Sequence, residues 1–216
     1  MKSVHRQRAV IFDFDGTIAD SWPAIIQVAE GVMKRKRPYN EEEITALRDM
    51  PLPELMKVLG VPKWKLPILL YRGRRMLRAR MHGIPLHEGM ATTLEQLHAK
   101  GVPLYVLSSN STENVQKYLQ WHKLTHCFSG VYGGASLFGK ASRLLKLIDE
   151  TGTSVTDSWY VGDEMRDVTA ARAVGLRVAS VTWGYNTRAA LLSKEPDVVV
   201  DDAAALFKEL GVVWKK

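Results

Sequence analysis

The stretch from Ala9 to Ser21, AVIFDFDGTIADS, constrains the fold of this chain more than any other part of its sequence. Four apolar residues end abruptly in two carboxylates, Asp13 and Asp15, which is typical of a buried parallel strand that surfaces at its carboxyl end. Because side chains alternate along a strand, the two acids are predicted on one face, at the sheet edge where open α/β folds bind ligands. The alternative is a strand that ends in solvated aspartates before a turn.

The length and the cysteine content narrow the class of protein. At 216 residues the chain suits one large domain or a core with a modest insert. The single cysteine, Cys127, excludes an internal disulfide framework and is expected to be a small buried hydrophobic residue. No apolar run reaches the roughly 18 residues of a membrane helix, and the basic N-terminal stretch runs directly into the first strand. These features predict a cytoplasmic protein without a membrane partner.

From Gly89 onward, strand-like and helix-like patterns alternate, which predicts parallel βαβ units in a Rossmann-like α/β sheet flanked by helices. The predicted strands are Val102–Ser108, Phe128–Tyr132, Trp159–Val161, Leu176–Thr182 and Asp197–Val200. The predicted helices are Ala91–Lys100, one capped by Asn110 and Ser111, one beginning at Lys140, Arg166–Val174, and Asp202–Leu210 ended by Gly211.

Between the first strand and Gly89 the pattern is helical and contains no strand, which predicts an inserted helical bundle. One helix includes Trp22, Glu41–Arg48 forms another with Asn40 as its N-cap, and Ile68–Met81 forms a third. From residue 20 to residue 86 there are 13 Lys or Arg against 7 Asp or Glu, whereas the rest of the chain after residue 86 is balanced at 14 each. The excess suggests an anionic partner for the insert, or else a solvated helix face.

Polar residues follow three further predicted strands or open the helix after them. Ser108, Ser109 and Asn110 follow one strand, where a serine is also an ordinary helix cap. Lys140 is the first residue of a predicted helix. The helix dipole disfavours a cation at this end, so a lysine there suggests a function. Asp163 and Asp167 are four residues apart in VGDEMRD and would share one side of a helical turn, which suits Mg²⁺ but also ordinary N-terminal charge.

The order of these motifs resembles that of the haloacid dehalogenase superfamily, in particular its phosphatases. The resemblance of DFDGT to the first family signature implies that Asp13 is a nucleophile and Asp15 a general acid and base. It implies that Lys140 offsets negative charge. It also implies that Ser109, or alternatively Ser108, binds phosphate together with Asn110.

The fourth family motif resembles VGDEMRD and implies a Mg²⁺ site. Asp163 would bind the ion with Asp13 and the backbone carbonyl of Asp15, while Asp167 would order a metal-bound water or Lys140. The role of Glu164 stays open, with a solvated face as the expectation.

The resemblance also covers the domain organisation, because phosphoglycolate-phosphatase-like members carry a helical cap after the first strand. It implies an α/β core over residues 1–18 and 87–216 and a cap over residues 19–86. The implied function is Mg²⁺-dependent hydrolysis of a small phosphorylated metabolite through an aspartyl phosphate. A phosphomutase or phosphotransferase, and a non-catalytic protein that binds polyanions through the basic insert, are the alternatives; nucleic acid is not the expected partner. The phosphoester and the oligomeric state stay open.

Overall fold

The central feature of the fold is one parallel sheet. The computed structural model describes residues 7–32, 37–58, 75, 81–134 and 139–212. Within these ranges, six strands pair in the order β3-β2-β1-β4-β5-β6. They are β1 (Val10–Phe12), β2 (Leu104–Leu107), β3 (Gly130–Tyr132), β4 (Trp159–Gly162), β5 (Arg177–Val181) and β6 (Val198–Val200). Because β1 pairs with both β2 and β4, Asp13 lies near the middle of the carboxyl edge of the sheet.

Helices fill the connections between the strands. The segment between β1 and β2 contains α1 (Trp22–Val32), α2 (Glu41–Arg48), α3 (Leu52–Val58) and α4 (Met90–Ala99). The later helices are α5 (Thr112–Trp121), α6 (Lys140–Thr151), α7 (Met165–Ala173), α8 (Arg188–Leu192) and α9 (Ala203–Val212). Short 3₁₀ turns in the described part of the chain include Met81–Gly83 and Thr125–Cys127. None of the helices described is both long and apolar enough to cross a bilayer.

Both faces of the sheet are buried, which explains the uninterrupted apolar run of β1. Val10 and Phe12 pack into one core with residues of α4, α5 and α9. Ile11 points to the opposite face and packs with residues of α6 and α7. Cys127 belongs to the first core and is 1% exposed, so the prediction of a small buried residue is confirmed.

The predicted fold class, a parallel Rossmann-like sheet flanked by helices, is confirmed. The Glu41–Arg48 helix and its cap are also confirmed, since Asn40 Oδ1 accepts a hydrogen bond from Glu43 N and the Glu43 carboxylate accepts one from Asn40 N. The predicted helix over residues 68–81 lies, apart from positions 75 and 81, outside the described residues.

Two details of the prediction were wrong. The last helix continues through Gly211 to Val212, because a glycine in the final turn costs little and helix ends are poorly specified by sequence. Helix α8 was not predicted, because its five residues are too few to show a period of 3.6. It begins at the N-cap Thr187, whose hydroxyl accepts a hydrogen bond from Ala190 N.

Two linkers, the residues just after β1 and those that lead into α4, lie side by side. Ala19 and Leu86 form an antiparallel bridge. Asp20 N donates to Pro85 O at 2.9 Å, and His87 N donates to Ile18 O at 3.1 Å. These bonds fall at the predicted boundary between the residues 19–86 and the rest of the chain, and the division into cap and core stays a prediction.

Candidate active site

Asp13 is held rigidly at the end of β1. Its backbone N–H donates to Val161 O at 2.8 Å, which continues the β1–β4 pairing beyond the strand. The carboxylate is 3% exposed, and its Oδ1 accepts a hydrogen bond from Phe14 N at 2.8 Å. Its Oδ2 accepts one from Lys140 Nζ at 2.7 Å. Both oxygens of this buried carboxylate therefore have fixed directions.

Lys140, the first residue of α6, joins two carboxylates. Its ammonium is buried, pairs with Asp13, and donates a short hydrogen bond to Asp167 Oδ1. Burial alone would lower the pKa of Lys140, but the two carboxylates outweigh burial and raise it well above its usual value. Lys140 is therefore a permanent positive charge beside Asp13.

Asp163 and Asp167 extend from the end of β4 and the first turn of α7. Asp163 Oδ1 accepts from the Thr17 hydroxyl and Oδ2 from Tyr185 N, both at 2.7 Å. Asp167 Oδ2 accepts from Glu164 N at 3.0 Å. Burial, together with nearby carboxylates, raises the pKa of Asp163 well above its usual range. Burial also raises the pKa of Asp167 to about 6, although Lys140 lowers it in part.

These residues fit a divalent ion. Asp13, Asp163 and Asp167 each offer one oxygen, and these oxygens lie within 4.8 Å of one another. Carboxylates are the hard ligands that Mg²⁺ prefers, and a cation would relieve the repulsion that, in addition to burial, raises the pKa values of Asp163 and Asp167. All three carboxylates accept a hydrogen bond at each of their oxygens, so hydrogen bonding does not set any one of them apart as a direct ligand of the ion.

Asp15 lies beside this cluster in a different environment. Burial and the charge of Asp13 raise the pKa of Asp15 to about 6. Asn110 Nδ2 donates to Asp15 Oδ2 at 3.3 Å. The Asn110 amide is itself oriented, because its Oδ1 accepts from Asn114 Nδ2 and Ser111 N, each at 2.9 Å. A carboxyl group with a pKa near 6 is suited to exchange protons around neutral pH.

The two serines after β2 differ in exposure. Ser108 is fully buried, and its Oγ accepts a hydrogen bond from Asn110 N at 2.9 Å, so it holds the turn after β2. Ser109 is only partly buried. Asn110 is 2% exposed and is the residue that links this turn to Asp15.

The comparison with known proteins assigns the family. A family model described as haloacid dehalogenase-like hydrolase matches residues 10–181. The chain belongs to this family. It is 35% identical over 211 residues to the phosphoglycolate phosphatase of Synechococcus elongatus, covering 97% of this chain and 100% of that one.

Two further proteins that resemble this chain extend the comparison. The phosphoglycolate phosphatase of Aliivibrio fischeri is 28% identical over 220 residues, which cover 95% of this chain and 97% of that one. A haloacid dehalogenase-like family protein from Streptococcus pneumoniae has the same fold, with a TM-score of 0.77 at 22% identity over 94% of this chain and 98% of that one. The predicted membership and the predicted enzyme class, a phosphatase, are confirmed.

The structure corrects one expectation about this haloacid dehalogenase-like site and adds contacts that the motifs do not show. Glu164 does not lie on a solvated face, because its side chain is 18% exposed and pairs with Arg166. The backbone N–H of Tyr185 was missed as a partner of Asp163. Every residue type except proline offers such a donor, so no sequence signal could have identified it. Thr17 carried a signal, since it stands in the DFDGT motif.

Gly16 offers a direct test of the packing around Asp163. Its φ is +80°, and a Cβ there would lie 2.3 Å from Asp163 Oδ2. Gly16→Ala should therefore displace this carboxylate and reduce the hydrolytic rate by roughly a hundredfold, within the range that misplacement of about 1 Å can cost. Initial rates of phosphate release at saturating Mg²⁺ would measure the effect.

Gly101→Ala is the matched control. Gly101 has a similar φ of +73°, but a Cβ added there would meet no atom within 4 Å, so the variant has the backbone strain without the collision. We expect it to lose some stability and to keep its rate. Equal rates in the two variants would contradict the assignment of Asp163 to the site.

Proposed function

We propose that this protein is a Mg²⁺-dependent phosphatase that hydrolyses a small phosphate monoester through a phosphorylated Asp13, with phosphoglycolate as the first candidate substrate. The observation that carries the proposal is the placement of Asp13, whose buried carboxylate is paired with Lys140 and lies beside Asp163. The matched phosphoglycolate phosphatase of Synechococcus elongatus supports the choice of substrate.

In the first step, a carboxylate oxygen of Asp13 attacks phosphorus in line with the departing alkoxide. The bond from phosphorus to the ester oxygen breaks as Asp15 donates its proton to that oxygen. The raised pKa of Asp15, about 6, makes the protonated form available for this donation. The products of the step are the free alcohol and an aspartyl phosphate at Asp13.

In the second step, Asp15 acts in the opposite direction. Its carboxylate accepts a proton from a water molecule, whose oxygen attacks phosphorus and releases Asp13 and inorganic phosphate. Asn110 donates to Asp15 and would hold its carboxyl group in the same place for both proton transfers. Asp15 ends the cycle protonated, as it began.

The negative charges of Asp13 and phosphate would repel each other without compensation. The buried ammonium of Lys140 provides one positive charge at 2.7 Å from Asp13 Oδ2. Mg²⁺, held by Asp13, Asp163 and the backbone carbonyl of Asp15, would supply the remaining charge compensation when bound. We assign Asp167 to orienting Lys140, and Ser109 and Asn110 to binding phosphate oxygens.

We further propose that residues 19–86 form a cap over the core of residues 1–18 and 87–216. The cap would exclude water before the attack and would select the organic part of the substrate. The paired linkers around Ala19 and Leu86 support this division, because they bring both crossings to one place on the core.

A panel of phosphate esters tests the proposed function. Phosphoglycolate, sugar phosphates, nucleotides and pyrophosphate are offered to the purified protein in Mg²⁺ and, in parallel, in EDTA. We expect phosphate release from at least one small ester in water without an added acceptor, falling to the level of the uncatalysed control in EDTA. The proposal would be contradicted if no ester of the panel released phosphate in Mg²⁺, or if release in EDTA equalled release in Mg²⁺.

A further inference from the structure

The carboxyl end of α2 is hydrogen-bonded to the loop after β5, which we call the β5 loop and define as residues 182–187. The Arg48 guanidinium makes three hydrogen bonds to this loop. Its Nε donates to Tyr185 O at 2.8 Å, and its Nη2 donates to Gly184 O at 2.8 Å and to Thr182 O at 3.4 Å. One side chain of the inserted segment therefore fixes three backbone carbonyls of the core.

The β5 loop also donates hydrogen bonds back to α2. Tyr185 Oη donates to Leu47 O at 3.1 Å, and Asn186 Nδ2 donates to Arg48 O at 2.6 Å. These carbonyls lie in the last turn of α2, where the chain no longer supplies the regular i+4 donors of a helix, and Leu47 O also accepts from Met50 N at 3.3 Å. The Thr187 hydroxyl donates a further short hydrogen bond to Asp49. The helix end and the loop thus complete each other's hydrogen bonding.

The β5 loop contacts α2 on one side and Asp163 on the other. Tyr185 N donates to Asp163 Oδ2 at 2.7 Å, and Asn186 N donates to Asp163 O at 3.1 Å. Gly184 packs so closely that a Cβ would lie 2.3 Å from the Asp163 Cβ. Tyr185 therefore accepts from Arg48 through its carbonyl and donates to Asp163 through its N–H. Only one residue separates the helix from the carboxylate.

We propose that Arg48 is a positioning residue for divalent-ion binding, which acts through the β5 loop on the Asp163 carboxylate. Docking of α2 orders the loop, and the ordered loop holds Asp163 Oδ2 in one direction and leaves Oδ1 beside Thr17. The inference rests on the proposed function, because it takes Asp163 as a metal ligand. By linkage, a bound ion favours the docked position of α2 by the same factor as docking favours the ion.

The test compares Mg²⁺ affinities by calorimetric titration, without substrate, in the parent protein and in Arg48→Ala. We expect the dissociation constant to rise about tenfold in Arg48→Ala, the lower end of the effect of removing residues that orient metal ligands. The turnover number at saturating Mg²⁺ should change by less than about threefold, because no reacting group is removed. Arg48→Lys should fall between the two, since an ammonium cannot match the planar fork of a guanidinium.

Arg37→Ala is the matched control, because Arg37 lies in the same inserted segment and bonds to Glu43 rather than to the β5 loop. Its Mg²⁺ affinity should equal that of the parent. An unchanged Mg²⁺ affinity in Arg48→Ala would overturn the inference, whether or not turnover at saturating Mg²⁺ is lost. That result would indicate that the contact is only structural.

Tyr185→Phe serves if Arg48→Ala does not fold. It removes only the hydroxyl that bonds to Leu47 O and keeps the N–H that bonds to Asp163, so we expect a two- to threefold weaker affinity for Mg²⁺. If Tyr185→Phe folds and binds Mg²⁺ as tightly as the parent protein does, the result counts against the inference. If the parent protein binds no Mg²⁺, both the proposed function and this inference fail. If the parent binds Mg²⁺ and the variants bind it with the same affinity, only the role of Arg48 is refuted.

Discussion

Asp13→Asn should abolish phosphate release while leaving the fold intact. The amide has nearly the same shape as the carboxylate, and its oxygen can still accept a hydrogen bond from Lys140, although its NH₂ group cannot accept the one from Phe14 N; the amide is not a nucleophile toward phosphorus. We expect the turnover number to fall by at least about a thousandfold. Initial rates of phosphate release measure the loss, and circular dichroism verifies the fold.

Asp157→Asn is the control for the loss of one carboxylate. Asp157 lies in the exposed turn before β4, accepts a hydrogen bond from the Ser154 hydroxyl, and has no place in the proposed chemistry. Its rate should equal that of the parent. A turnover number above about a tenth of the parent value in Asp13→Asn would remove the phosphorylated aspartate from the proposed mechanism.

Lys140→Ala should be the most destabilising single substitution at the site. Asp13 and Asp167, which are 3% and 0% exposed, would lose the cation that they share. Removing one partner of a buried charge pair costs about 3–5 kcal/mol, because the other charge stays buried without compensation. Urea unfolding at pH 8 measures the loss, and phosphate release should fall together with stability.

The loss in Lys140→Ala should depend on pH with a definite sign. Burial already raises the pKa of Asp167 to about 6 in the folded protein, above its unfolded value, and removal of Lys140 would raise it further. The folded state then binds protons more tightly than the unfolded state, so stability falls as pH rises through this range. The variant should therefore be closer to the parent at pH 5 than at pH 8.

Two further variants test this explanation. Lys146→Ala removes a lysine from the same helix, but that lysine is 63% exposed and pairs with Glu150 at 3.5 Å, so we expect little change. Lys140→Ala combined with Asp167→Asn should recover part of the lost stability, because one of the two uncompensated charges is gone. Equal stability of Lys140→Ala and Lys146→Ala at pH 8 would refute the proposed electrostatic role.

The parts of the fold and site that could be predicted from sequence are those that depend on local pattern. The apolar run before Asp13 indicates a strand buried on both faces, and the Asn40 cap marks the start of α2, because each signal lies within a few residues of the element it specifies. Parallel strands then bring Asp13, Lys140 and Asp163 to one edge, although 150 residues of sequence separate the first from the last.

The contacts that could not be predicted depend on backbone groups or on the relative placement of distant elements. Tyr185 holds Asp163 through its N–H, and Arg48 binds carbonyls, so neither contact requires a particular residue on the side of the loop. The pairing of Glu164 with Arg166 depends on side-chain directions at the start of α7, where the sequence shows four charges and does not say which of them pair.

The adjoining linkers at Ala19 and Leu86 have a consequence for how such a chain can diversify. The peptide leaves β1 and returns toward α4 at points joined by hydrogen bonds, so a segment of almost any length can span them without stretching or displacing the sheet. A short turn or a larger module could replace the intervening helices without displacing β1, provided that it also supplied the contacts that α2 makes to the β5 loop beside Asp163. If residues 19–86 act as the proposed cap, exchange of this one segment is a route by which substrate preference can evolve while Asp13 and Asp15 stay in place.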